Sequence, residues 1–305
     1  MPLAALEKHL KAALVGEVRR SEPMSRHTSF RIGGPADLYV VCDTVADLAE
    51  TTRVLAEAGV PWTVVGKGTN ILVADAGYRG AIVTLGREFT THSVEDDRIK
   101  TGAACILAYV VRDAFSRGLG GLEFAVGIPG TVGGALAMNA GSRGVWMGSV
   151  AESVTLLVPG SGLERVPGNR VEWGYRSSGL PARGVIVESV LKLSRADSDR
   201  IRRDMEASLT RRKATQPLGQ PSAGSVFVNP PDDSAGRLIE SAGLKGTRCG
   251  GARVSEVHAN FIVNEGGASA RDVLALIDKV RMTVRDTHGI ELKPEIRFLG
   301  SFDIA

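Results

Sequence analysis

Glycine constrains this chain more than any other residue: 37 of 305 positions are glycine, gathered in a few loops and not spread as a linker. The densest stretch is Gly127-Ile128-Pro129-Gly130-Thr131-Val132-Gly133-Gly134-Ala135, running on to Asn139-Ala140-Gly141, with five glycines in fifteen residues. Without a Cβ the backbone can turn sharply and come close to a flat ring or a diphosphate. A structural loop of this length has no evident need of so many, so the segment reads as ligand-binding, and as loop rather than the interior of an element. A second run, Gly66-Lys67-Gly68-Thr69-Asn70-Ile71-Leu72, follows a β-rich stretch. Consecutive N–H groups there can face one anion, and Thr69 and Asn70 add side-chain donors. A tight turn between two strands accounts for the same residues equally well. Neither run matches G-x-G-x-x-G or the P-loop pattern, which leaves a dinucleotide site of another design. Each N–H contact to a diphosphate adds about 0.3–1 kcal/mol, so tight binding needs many of them, and two loops could supply them.

Around these loops, short β and α segments alternate. Residues 1–14 read as an amphipathic helix carrying Glu7, Lys8 and Lys11, not as a signal peptide. A strand at 38–41 leads into a helix near Thr44, where Thr44 and Asp47 have capping-box spacing and Gly59 and Pro61 mark the end. Strands are expected at 62–65, 71–73 and 81–85, and a helix over 106–115 that stops at Gly118. From 150 to 193, β-branched runs at 153–158 and 184–193 predict a mainly β region. A charged helix over 197–213, followed by Pro217 and Pro221, marks a domain boundary. Beyond it come a short helix over 235–242 and a strand over 258–263. A long helix then runs from Ser269, with Asp272 at the third position, to Gly289, and a strand over 290–298 is interrupted by Pro294.

Composition narrows the class. Apolar residues make up 43% and charged residues 23%, as in ordinary globular proteins. A formal charge of +3 is too weak to argue for nucleic acid, and no stretch combines Lys/Arg clusters with aromatics. Cys42, Cys105 and Cys249 are far apart, odd in number and outside any C-x-x-C pair, which suits a reducing compartment and argues against a disulfide framework. His9, His27, His92, His258 and His288 show no metal spacing, so no metal is expected. No apolar run approaches the roughly 20 residues needed to span a bilayer.

Three further segments could carry chemistry. In Tyr175-Arg176-Ser177-Ser178 the arginine is suited to hold a carboxylate bidentately, although a surface ion pair would use the same residue. In Pro221-Ser222-Ala223-Gly224-Ser225-Val226-Phe227-Val228-Asn229-Pro230, Ser225 sits in a small-residue loop but in no G-x-S-x-G elbow, so hydrolase chemistry is unsupported. In Lys293-Pro294-Glu295-Ile296-Arg297, Glu295 and Arg297 are two apart and would share a strand face, as would an exposed ion pair.

Taken in order, these segments resemble the UDP-N-acetylenolpyruvoylglucosamine reductase (MurB) family of bacterial peptidoglycan synthesis. The resemblance is carried by Thr28-Ser29-Phe30-Arg31-Ile32-Gly33-Gly34-Pro35-Ala36-Asp37, by both glycine runs, by residues 175–178, 224–230, 251–264 and 294–300, and so spans nearly the whole chain. The short interval between Arg176 and Ser225 matches the compact form of the family. The resemblance implies an α+β protein: a lead-in over 1–27, an FAD-binding domain of the vanillyl-alcohol-oxidase (PCMH) type with two α/β subdomains over 28–195, and a C-terminal α/β substrate domain over 196–305. It implies a cytoplasmic enzyme that uses FAD and NADPH to reduce the enolpyruvyl group of a UDP-sugar to the lactyl group of UDP-N-acetylmuramate, with no nucleic acid, membrane or obligate protein partner. It implies that Ser225 protonates the substrate, that Arg176 and Glu295 polarise its carboxylate, and that Asn229 and Arg297 contact the diphosphate. Gly66–Leu72 and the glycine-rich run from Gly127 to Gly141 would hold FAD. Val228 stands where a basic residue is usual, and Thr247 and Cys249 replace a larger aromatic and an aliphatic residue. These departures leave the three catalytic positions intact and bear on diphosphate and sugar contacts. Two other readings use the same loops: another FAD oxidase or dehydrogenase of this fold, and a non-catalytic nucleotide-sugar binder.

Overall fold

The computed structural model describes residues 2–142 and 144–302. The chain divides into two compact units whose segments interleave: Met1–Arg20, Leu38–Gly66 and Gly80–Thr210 form the first, and Ser21–Asp37, Lys67–Arg79 and Arg211–Ala305 the second. The last crossing falls inside the charged helix Ser198–Thr215.

The first unit has two apolar cores. In one, the helices Leu3–Ala13 and Val45–Glu57 cover a sheet whose central strands are Pro35–Cys42 and Tyr78–Leu85. Leu6, Leu10, Leu48 and Leu55 recur at helical spacing and are fully buried against Leu38, Val40 and Ala81. Thr44 caps the second helix by accepting from the Asp47 N–H at 3.0 Å. The Asp47 carboxylate in turn accepts from the N–H groups of Val15, Gly16 and Asp43, which ties the lead-in to the helix start.

The other core lies under an antiparallel sheet of five strands in the order Gly162–Pro167, Ala151–Val158, Val185–Lys192, Arg98–Gly102, His92–Glu95. The helices Leu107–Ser116 and Val132–Ala137 contribute to it. Ala151–Val158 breaks strict in–out alternation because its register against Val185–Lys192 shifts twice, between Ala151 and Ser153 and between Thr155 and Leu156. The strands at His92–Glu95, Arg98–Gly102 and Gly162–Pro167 carry few apolar residues, and the first and last are sheet edges. They have no hydrophobic signature of their own and follow from their partners.

The second unit is built on the helix Ala270–His288, which packs against a three-stranded antiparallel sheet, Arg248–Cys249, Ala252–Val254 and Ile262–Asn264. Ser269 and Asp272 form a reciprocal capping box, and Gly289 closes the helix in the left-handed conformation (φ 70°). A second carboxylate reinforces the start: Asp75 accepts from the N–H groups of Ala270 at 2.7 Å and Arg271 at 3.0 Å. Asp75→Ala leaves both donors without that partner and removes a negative charge from the positive helix end. It is expected to lower stability by about 1–2 kcal/mol, read as a lower denaturant midpoint at unchanged slope. An unchanged midpoint would mean that water serves these amides as well as Asp75 does.

Three sequence expectations differ from the structure. The 127–141 segment is not all loop, because Thr131 caps a helix over Val132–Ala137 and small residues let it pack closely. The strand expected over 258–263 is confined to Ile262–Asn264, since residues 258–260 turn to place the Asn260 side chain in the core. The strand expected over 290–298 is confined to Arg297–Leu299, which pairs in parallel with Ile71–Val73. Pro294 lacks an N–H, and the segment around it is held by an isolated bridge to Phe227 instead of a ladder.

Candidate active site

In the first unit the glycine-rich run is shaped by close backbone contact. The Gly133 N–H donates to the Ala103 carbonyl at 2.8 Å, and a Cβ on Gly133 would stand 2.8 Å from the Ala103 Cβ. Gly130 and Val132 bond main chain to main chain with Leu107 and Cys105. The amides of Gly130 and Thr131 donate to no group among the described residues. Gly66 comes up to the same place, where a Cβ would lie 2.8 Å from the Thr131 hydroxyl. Gly66 and Thr131, 65 residues apart in sequence, thus meet within the first unit.

Arg176 is brought to this run by a hairpin. Trp173–Gly174 pairs with Ser177–Ser178, which leaves Tyr175 and Arg176 as a two-residue loop with Arg176 left-handed (φ 57°). Arg176 Nη1 donates to the Gly141 carbonyl at 3.1 Å, and its guanidinium lies 5.3 Å from the Tyr175 ring centroid. Asn139, 4% exposed, locks the hairpin in place: its Nδ2 donates to Gly174 O at 2.8 Å and its Oδ1 accepts from the Gly148 N–H at 2.9 Å. Ser178 Oγ donates to Ala137 O at 3.0 Å.

The second unit holds the rest. Gly68 is left-handed (φ 61°), and a Cβ there would stand 2.1 Å from the His27 carbonyl oxygen. The amides of Lys67, Gly68 and Thr69 meet no acceptor among the described residues, and the left-handed glycine in their midst makes them a nest open to an anion. Ser29 anchors the nest, its N–H donating to Gly68 O at 3.1 Å and its hydroxyl to Ser222 O at 2.6 Å. Asn70 Nδ2 donates to Glu295 O at 3.2 Å, and Asn70 O accepts from the Arg297 N–H at 3.0 Å. Ile71 and Leu72 continue as the strand paired with Arg297 and Phe298.

Ser225 and Glu295 lie on adjacent segments of this unit. The Glu295 N–H donates to Val226 O at 2.7 Å, Phe227 bridges to Pro294, and the Val228 N–H donates to Lys293 O at 2.9 Å. The half-buried Ser225 hydroxyl has no hydrogen-bond partner among the described residues. Glu295 precedes the final strand and does not share a strand face with Arg297, whose side chain is exposed. Asn229 Oδ1 accepts from the Ala235 N–H at 3.0 Å at the start of the Ala235–Ser241 helix, a structural use that its sequence context does not show.

The chemistry this arrangement excludes is also informative. Burial pushes the Cys42 thiol up to about 12 and raises that of Cys105, so neither is a thiolate nucleophile near neutrality. Burial lowers the His258 pKa, and its Nδ1 accepts from the Asn260 N–H at 3.2 Å. Among the described residues no cluster of His, Cys, Asp and Glu could hold a metal, and no helix is long and apolar enough to cross a membrane. What remains is an amide nest at 67–69, two open amides at 130–131, and close-packed glycines. The nest at 67–69 lies in the second unit and has the form of a phosphate-binding site, and the open amides at 130–131 lie in the first.

Comparison with known proteins agrees with that geometry. Residues 36–160 match the family described as FAD binding domain, and residues 216–299 match UDP-N-acetylenolpyruvoylglucosamine reductase, C-terminal domain. UDP-N-acetylenolpyruvoylglucosamine reductase of Heliobacterium modesticaldum is 49% identical over 287 residues, covering 93% of this chain and 91% of that protein. UDP-N-acetylenolpyruvoylglucosamine reductase 2 of Symbiobacterium thermophilum is 47% identical over 286 residues, covering 93% of each. The crystal structure of UDP-N-acetylenolpyruvylglucosamine reductase (MurB) from Thermus caldophilus superposes with a TM-score of 0.83 at 35% identity, covering 93% of this chain and all of that one. The fold and its loops define a flavoprotein of the α+β class with an FAD-binding domain. The chain belongs to the UDP-N-acetylenolpyruvoylglucosamine reductase (MurB) family.

Proposed function

We propose that this protein is a cytoplasmic, FAD-dependent reductase that oxidises NADPH and converts the enolpyruvyl group of UDP-N-acetylenolpyruvoylglucosamine to the lactyl group of UDP-N-acetylmuramate, a step of peptidoglycan precursor synthesis. The observation that carries it is family membership across 93% of the chain. In this reading, residues 28–195 form the FAD domain and 196–305 the substrate domain, with 1–27 as lead-in. In the same reading the 66–72 run, with its nest at Lys67, Gly68 and Thr69, and the 127–141 run, with its open amides at Gly130 and Thr131, are the FAD-binding segments. Bound FAD supplies two-electron transfer from NADPH to the substrate double bond.

The protein's own groups then manage charge and a proton. As the double bond is reduced, negative charge develops on the carbon beside the carboxylate and spreads into it. Arg176, whose Nη1 bonds to the Gly141 carbonyl, would stabilise that charge. Glu295, in its acid form, donates a hydrogen bond to the same carboxylate. Ser225 delivers the proton to the carbon, a task for which its hydroxyl has no competing hydrogen-bond partner among the described residues. A carbanion of this kind is basic enough to take a proton even from an alcohol. In the same reading Arg297 and Asn229 contact the nucleotide diphosphate, Asn229 through its amide nitrogen, since its oxygen accepts from the Ala235 N–H.

The test is an anaerobic absorption spectrum of the purified protein. Flavin bands should bleach on adding NADPH and return on adding the enolpyruvyl nucleotide-sugar. Rapid return with air and no need for substrate would instead favour an oxidase. Absence of flavin bands after reconstitution with FAD would sink the reading and leave a nucleotide-sugar binder.

A further inference from the structure

We propose that Asn260 is the positioning residue for Ser225, setting its hydroxyl for proton delivery; the inference rests on the function proposed above. Asn260 is 3% exposed, and its side chain bonds to both backbone groups of one residue: Phe227 N–H donates to Oδ1 at 2.9 Å, and Nδ2 donates to Phe227 O at 2.8 Å. Its own carbonyl accepts from the Val226 N–H at 2.8 Å. A single asparagine therefore fixes the two residues that follow Ser225, in the place a neighbouring strand would occupy. An amide is the side chain suited to this, because it offers a donor and an acceptor in one fixed plane.

Asn260 is itself held. Its N–H donates to His258 Nδ1, and the His258 ring packs at 4.8 Å, centroid to centroid, on Phe261, the residue that bridges to Ser225. The Ser225 hydroxyl has no hydrogen-bond partner among the described residues to aim it. The accuracy of its placement comes from the backbone, and on one side that backbone is set by Asn260. Displacement of a reacting group by about 1 Å can cost about 10²-fold in rate. A residue that only filled the core would weaken the protein without singling out the step in which Ser225 acts.

The test measures the two half-reactions of the FAD-bound enzyme separately by stopped flow, for Asn260→Ala and for the isosteric Asn260→Asp. The aspartate keeps an acceptor for the Phe227 N–H and loses the donor to Phe227 O. Flavin reoxidation by substrate is expected to slow about 10–100-fold, with flavin reduction by NADPH changed by less than about threefold. In a Ser225→Ala background, the same change at Asn260 should add less than about threefold, because residues acting as one unit are not additive. Equal losses in both half-reactions, or full additivity with Ser225→Ala, would overturn the proposal. So would failure of both variants to fold and hold flavin, which would assign Asn260 to folding alone. If the unsubstituted enzyme is not reoxidised by the enolpyruvyl substrate, the function itself is at fault; if it is and Asn260 shows no selectivity, only this inference fails.

Discussion

Ser225→Ala is expected to slow reoxidation of the reduced enzyme by its substrate about 10²–10³-fold, while reduction of the flavin by NADPH stays within about twofold of the unsubstituted protein. The split follows from where the hydroxyl stands. Ser225 is tied into its unit through its main chain, by the bridge to Phe261 and the neighbouring bonds of Val226, and the substitution leaves these in place. The hydroxyl makes no hydrogen bond within the described protein, so removing it breaks nothing structural. On the proposed role of Ser225, what is lost is one proton donor, and only the second half-reaction needs a proton on carbon. Ser225→Cys, which restores an ionisable proton of similar reach, should recover part of the rate. Comparable losses in both half-reactions would remove Ser225 from the chemistry and point to flavin placement instead.

The second large effect is expected at Gly68. An alanine there would have to adopt a positive φ of 61°, and its Cβ would stand 2.1 Å from His27 O and 2.9 Å from Thr28 Cα. Both obstacles are backbone, which cannot swing aside as a side-chain tip can. The left-handed conformation alone costs about 1–2 kcal/mol for a residue with a Cβ, and relief of the clash must move the nest. On the proposed role of the Lys67, Gly68 and Thr69 amides as a phosphate nest, their displacement should weaken FAD binding by about 1–3 kcal/mol, or roughly 5–150-fold. Flavin content after gel filtration and a titration of the apoprotein with FAD would measure this. Gly59→Ala is the control, because Gly59 has a similar φ of 64° but nothing within 4 Å of its missing Cβ. Gly59→Ala should cost stability and leave FAD affinity intact. Equal FAD affinity for Gly68→Ala and the parent protein would exclude the 67–69 amides as the diphosphate site.

Most regular elements were legible because their signals are local. The Thr44 and Asp47 pair announced a capped helix, and Ser269, Asp272 and Gly289 announced both ends of another. Capping needs only residues three or four apart, so the sequence carries it in full. The two glycine runs were legible for a similar reason, since a backbone that must come within contact distance of another group excludes side chains wherever that group lies. Edge strands were less legible. His92–Glu95 and Gly162–Pro167 have no apolar alternation and exist because Arg98–Gly102 and Ala151–Val158 offer them a ladder.

The sequence by itself determined which residue types sit in the loops, where the capped helices begin and end, and, through the order of its motifs, the family to which the chain belongs. Only the tertiary structure decided what each polar side chain does. Asn139 and Asn260 look alike in sequence, small polar residues in glycine-rich or turn-like surroundings. One joins Gly174 to Gly148 behind the Arg176 hairpin, and the other replaces a strand beside Ser225. The physical reason is that a buried amide must find partners for both its ends. Those partners are 9 and 35 residues away for Asn139 and 33 residues away for Asn260, at separations no local pattern records.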